Sequence, residues 1–144
     1  LMDDASGNRY GKMLIRDYYF NKMPNTIKLA FEHKYNLDAD FIKYNLYKQA
    51  NPNAYLAKFA EFMFLNKDSE YIQKVIKRGF RIFTENMIMQ YAEELKTVPV
   101  HFAGSIAYFS QNEIKEVAEE FGFKVGNFVR RPIDGLVEYH IKNL

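Results

Sequence analysis

The stretch from Val98 to Arg130 changes the grammar of the chain and limits what it can fold into. Residues 98 to 103, VPVHFA, read as an apolar strand that halts at Gly104-Ser105. Residues 111 to 121 then carry Ile114, Val117, Ala118 and Phe121 at helical spacing, and residues 123 to 130 read as a second strand. A strand, a crossover helix and a strand in that order predict a parallel pair, since a tight hairpin joins only antiparallel neighbours. With Pro132 opening a final helix through Leu136, Tyr139 and Ile141, the order helix, strand, helix, strand, helix is that of an α/β layer. Two strands do not make a stable sheet alone, so partner strands are expected from another segment.

Upstream, residues 8 to 97 read as mainly helical. Residues 5 to 9 are small and polar, a loop feeding a helix over Gly11 to Phe20 with Met13, Leu14 and Tyr18 at helical spacing. Pro24 opens a short helix through Phe31, and Asp38 or Asp40 is a candidate cap within NLDADFIKYNLY. Asn51-Pro52 offers an N-cap followed by proline at the first helical position, ahead of Tyr55, Leu56, Phe59, Phe62 and Met63. The longest helix is predicted from Ile72, Val75, Ile76, Gly79, Phe80, Phe83, Met87 and Tyr91. Their spacings of three and four run for about twenty residues behind a cap at Asp68 or Ser69.

The chain has 144 residues, 48% of them hydrophobic and 17% aromatic. That suffices for a single domain, residues 1–144, burying roughly 70% of its unfolded surface. A balance of 20 basic against 18 acidic side chains, with no basic block, argues against a sequence-independent nucleic-acid partner. Lys74, Lys77 and Arg78 read as the wet face of a helix. The absence of cysteine rules out disulfides, thiolate zinc and a cysteine nucleophile, and fits a reducing compartment, so the cytoplasm is expected. No apolar run approaches the ~18 residues of a membrane span, so no membrane partner is expected. The opening LMDDASGNRYGK lacks an apolar signal region and reads like the continuation of something longer.

Among titratable residues, His101 lies inside the first strand and reads as a satisfied core or edge histidine before a ligand. His33 and His140 are isolated, and no histidine spacing suits zinc. Glu93-Glu94 and Glu119-Glu120 are adjacent on helices and diverge by about 100°, so they read as solvated faces, not a catalytic dyad. Arg130-Arg131 is open between a phosphate contact and pairing with helix carboxylates, the second being favoured. Asp134 suits the positive end of the last helix, and the Tyr and Phe stripe over residues 44 to 64 reads as core before a stacking platform. Gly104 is the feature with a functional edge: ligands of open α/β sheets lie beyond the carboxyl ends of strands, where a missing Cβ lets a nucleotide approach the main chain. Its bland alternative is a turn, with Ser105 capping the next helix.

The segment VPVHFAGSIAYFSQNEIKEVAEEFGFKVGNFVRRPIDGLVEYH resembles the C-terminal end of the BadF/BadG/BcrA/BcrD-type ATPase family, most closely its bacterial N-acetylglucosamine kinase-like branch. In that family a strand ends in a Gly-Ser turn and the chain closes on a helix of pattern P-I-x-G-L-x-x-Y, matched by Gly104-Ser105 and by Pro132, Ile133, Gly135, Leu136 and Tyr139. The family's D-E-G-S-G followed by G-K is matched by Asp3, Asp4, Ser6, Gly7, Gly11 and Lys12, and GFRIFTENMIMQYAEE is similar too. The resemblance spans nearly the whole chain. It implies two RNase H-like lobes of the actin-like ATPase class with ATP between them, this chain being a helical insertion plus the last strands of the second lobe. It implies that Gly104 and Ser105 line the adenosine side, with Ala103 where many relatives have a further glycine. Asp4, Ser6 and Gly7 would sit on a loop facing phosphates or sugar.

Two positions depart from that pattern. Ala5 stands where the family has glycine, and Asp4 where it has glutamate; if position 5 needs positive φ, alanine costs about 1 kcal/mol or more. No D-x-G-x-T phosphate turn occurs, and the family's catalytic aspartate belongs to the first lobe, so base and most ligands of Mg²⁺ are expected outside this chain. The resemblance thus implies an ATP-dependent sugar kinase lobe, partnered by an N-terminal lobe of the same protein and a sugar, with a homodimer also compatible. The reading from a different class is a non-catalytic helical interaction or dimerisation module, its Gly-Ser turn purely structural.

Overall fold

The computed structural model describes residues 5 to 130. Asp3, Asp4, Arg131 and the helix expected from Pro132 lie outside the described residues, and with them the residues assigned to it, Ile133, Asp134, Gly135, Leu136, Tyr139, His140 and Ile141. Contacts group the chain into two units, residues 1–79 and 80–144. Among the described residues the architecture is mostly helical with one small parallel sheet, hence α/β.

The first unit is built from α1 (Gly7–Tyr19), α2 (Asn25–Lys34), α3 (Ala39–Tyr47), α4 (Pro52–Ala57), α5 (Ala60–Leu65) and the start of α6 (Glu70–Asn86). Local sequence sets the starts. Asp38 accepts the N–H of Phe41 at 3.1 Å, and Asn51 accepts that of Ala54 at 3.1 Å with Pro52 at the first helical position. Helix α1 starts earlier than the expected Gly11, because Ser6 caps it by accepting the N–H of Arg9 at 3.4 Å. The expected run through Phe59 and Phe62 is broken between α4 and α5. Tight bonds from Lys58 to the Tyr55 carbonyl (3.3 Å) and from Phe59 to that of Leu56 (3.1 Å) rewind the turn. The rewinding buries Phe59 and Phe62 against Phe31, whose ring lies 5.8 and 5.0 Å from theirs.

Helix α1 approaches α4 so closely that a Cβ on Gly11 would collide with the Leu56 carbonyl. Its Tyr10 is buried, and the hydroxyl donates to the Ile76 carbonyl at 2.6 Å. Arg78 is more than a wet-face residue: its guanidinium pairs at 3.2 Å with the buried carboxylate of Asp17, which also accepts the Tyr71 hydroxyl at 2.7 Å. Burial, then the hydrogen bond and charge of Asp17, push the Tyr71 hydroxyl far up from its ordinary value.

The second unit contains the end of α6, two 3₁₀ turns (Ile88–Tyr91 and Glu94–Lys96), β1 (Val100–Ala103), α7 (Ser105–Phe109), α8 (Gln111–Phe121) and β2 (Val125–Val129). Helix α6 stops at Asn86 where periodicity predicts continuation to Tyr91. Thr84 donates its hydroxyl to the Phe80 carbonyl at 2.8 Å, a back-bond that competes with the regular ladder near the helix end. Strand β1 begins at Val100 and not Val98, since Pro99 has no N–H to offer and the first bond is from Val100 to the Lys124 carbonyl at 2.8 Å. Strand β2 begins at Val125 because Phe123 donates its N–H back to the Ala118 carbonyl at the end of α8 (3.1 Å).

The strands run parallel, as predicted, with Val100 opposite Val125, Phe102 opposite Phe128 and Ala103 opposite Val129. The register slips by one residue between the first two pairs. At the slip His101 Nδ1 accepts the N–H of Asn127 at 2.8 Å, replacing a ladder bond, so this histidine is a satisfied edge residue. Ile114, Val117 and Ala118 of α8 are buried, whereas Phe121 is only half-buried. Arg81 and Glu120 form a two-pronged pair at 2.9 and 2.8 Å between α6 and α8.

Candidate functional site

The carboxyl ends of both strands come together at Gly104. Its N–H donates to the Val129 carbonyl at 2.8 Å, closing the sheet, and its φ of 107 with ψ of 162 carries the chain sharply into α7. Such a φ is costly for any residue with a side chain. A Cβ built on Gly104 would meet no atom within 4 Å, so the glycine is there for its backbone angle and leaves an open approach to the main chain. Ala103 is exposed beside it, and half-buried Ser105 is the first residue of α7. The cap position belongs to Gly104 and not to Ser105.

Three side chains absent from the sequence-derived nucleotide site belong to the segments that meet at this tip. Arg130, one residue past β2, holds its guanidinium 4.8 Å from the centre of the Phe109 ring and 6.0 Å from that of Tyr108. The two rings meet edge to face at 5.4 Å and 89°. They are 37% and 38% exposed. The expected pairing of Arg130 with a helix carboxylate gives way to this stack, and no carboxylate among the described residues pairs with it. The strand register, which sets Val129 beside Ala103, places Arg130 one residue past the partner of Gly104; the sequence marked Arg130 as open between phosphate and carboxylate contacts, but no local signal joined it to Tyr108 and Phe109.

The other candidate loop belongs to the first unit. Ser6 is engaged as the cap of α1, and its hydroxyl also donates to the Asn8 side chain. Gly7 opens α1, where an added Cβ would lie 3.2 Å from that of Ala57. Ala5 has φ 60, the left-handed conformation that its alanine makes expensive. Asp4 is outside the described residues.

A cavity of about 380 Å³ is lined by apolar side chains including Phe83, Met87, Ile88, Tyr91 and Leu95. Another, of about 430 Å³, is lined by Pro24, Thr26, Ile27, Ser69, Tyr71 and Lys74. Neither includes Gly104 or Ser105. Among the described residues no group of three or more His, Asp or Glu side chains is placed to hold a metal ion. No helix among them is long and apolar enough to cross a membrane.

No family model and no curated protein matches the chain. Among solved structures it is similar to the crystal structure of the "Putative N-acetylglucosamine Kinase" from Porphyromonas gingivalis, with 27% identity and a TM-score of 0.84. The likeness covers 98% of this chain and 49% of that one, so the chain spans about half the length of its structural neighbour.

Proposed function

We propose that this chain is the C-terminal, nucleotide-binding half of an ATP-dependent sugar kinase of the BadF/BadG/BcrA/BcrD type, acting on N-acetylglucosamine or a close relative. The similarity to half of the Porphyromonas gingivalis protein supports the sugar-kinase reading. The observation that carries the nucleotide assignment is Gly104: a left-handed glycine at the tip of two parallel strands, with open space where its side chain would be. In this reading Ala103, Gly104 and Ser105 form the adenosine face of an RNase H-like lobe. Ser6 and Gly7, with Asp4, belong to a loop that faces phosphate or sugar. An N-terminal lobe of the same protein completes the enzyme and supplies the base and the Mg²⁺ ligands. Mg²⁺ would neutralise charge on the transferring phosphate; this half contributes the binding and orientation of the nucleoside.

The test uses the full-length protein. Saturating ATP is expected to raise its Tm by about 5 °C, and phosphate should pass to N-acetylglucosamine. Gly104→Val, judged by its own unliganded Tm, should lose the ATP-dependent rise and the activity together. An equal rise in both proteins removes the adenosine assignment. A second reading, a non-catalytic interaction or dimerisation module, draws on α3, where Phe41, Tyr44 and Tyr47 are 43%, 53% and 77% exposed. It predicts indifference to ATP.

A further inference from the structure

We infer that Arg130, lying on Phe109, is the platform on which the base of the bound nucleotide stacks, and that this pair sets a preference for purines. The inference rests on the nucleotide reading of Gly104 given above and names the side chains that would recognise the base.

The hydrogen bond from Gly104 to Val129 fixes Arg130 as the next residue past the point where both strands end. In this inference a base whose sugar lies on the open side of Gly104 reaches Arg130, which follows the hydrogen-bond partner of Gly104, and the Phe109 and Tyr108 rings against which Arg130 packs, all from the same unit. The guanidinium is flat, weakly hydrated and able to stack on both of its faces. Against the Phe109 ring at 4.8 Å it is held by cation–π attraction, and Arg130 itself is exposed. Among the described residues no carboxylate pairs with it, which leaves its outer face open to a stacking partner. Stacking needs no hydrogen-bond code and rewards a large π surface, so adenine and guanine gain more from it than cytosine or uracil.

The competing role for Arg130 is a charge contact to phosphate, and the two roles separate cleanly. Binding of adenosine, ATP and CTP to the full-length protein would be measured by calorimetry for wild type, Arg130→Leu, Arg130→Lys and Gly104→Val. Stacking predicts that Arg130→Leu and Arg130→Lys weaken adenosine and ATP by a similar factor, about ten-fold, with a smaller effect on CTP. Lysine keeps the charge but lacks the plane, so it does not rescue. Loss of ATP affinity alone, with adenosine unchanged and lysine restoring the wild-type value, would mean a phosphate contact and overturn the inference. So would unchanged affinities in both Arg130 variants while Gly104→Val binds nothing; in that case the nucleotide reading survives. If the wild type binds neither adenosine nor ATP, both fall. Phe109→Trp adds a direct readout, taken as the difference from the wild-type protein: the added fluorescence should be quenched as adenosine saturates, and an unchanged difference with adenosine bound contradicts stacking.

Discussion

Ala5 at φ 60 holds a Cβ against the following carbonyl oxygen, a strain that glycine lacks. Ala5→Gly is therefore expected to stabilise the protein by about 1 kcal/mol, read from the urea midpoint, even though glycine loosens the unfolded chain. The possibility of strain was visible in the sequence only through the family pattern; the dihedral itself was not. His101 was legible as a satisfied core or edge residue, yet the slipped register it closes was not, because that depends on a partner 26 residues away. His101→Ala should cost about 1 kcal/mol by leaving the Asn127 N–H to water. Tyr35 adds a pH dependence. Burial, then the nearby charge of Glu61, push its hydroxyl up to about 12 from 10.0. The folded state keeps this proton after the unfolded chain has released it, so the unfolded state binds fewer protons and stability falls as pH rises from 10 to about 12. Tyr35→Phe should flatten that part of a pH–stability curve.

At the scale of elements, caps were readable because they are local: Asn51-Pro52 and Asp38 each act within three residues. The break between α4 and α5 was not, since burial of Phe59 and Phe62 overrides a run that would continue as one helix. Interactions between distant helices were equally hidden. Arg78 looks solvated on α6 until α1 brings Asp17 and α6 itself supplies Tyr71. Asp17→Ala should destabilise by about 2 kcal/mol, because it strands the Tyr71 hydroxyl without an acceptor and Arg78 without its partner. Arg78 is about half exposed, so Arg78→Ala should cost under about 1 kcal/mol. Urea titrations of both variants check the order.

At the scale of the whole molecule, the parallel pair and the glycine at its tip were both legible, one from the order of periodicities and the other from a glycine closing an apolar run. The aromatic and cationic frame around that glycine was not, because it is assembled by strand pairing and not by sequence proximity. The chain matches about half of a protein named as a kinase, and a two-stranded parallel sheet with exposed Val129 at its end calls for covering strands. The central claim is that a nucleotide lies against the strand tips at Gly104. In hydrogen exchange of the full-length protein with and without ATP, a nucleotide bound there should slow exchange of the backbone amides within residues 103–109. Bound ATP that leaves those amides unchanged while protecting others would contradict it.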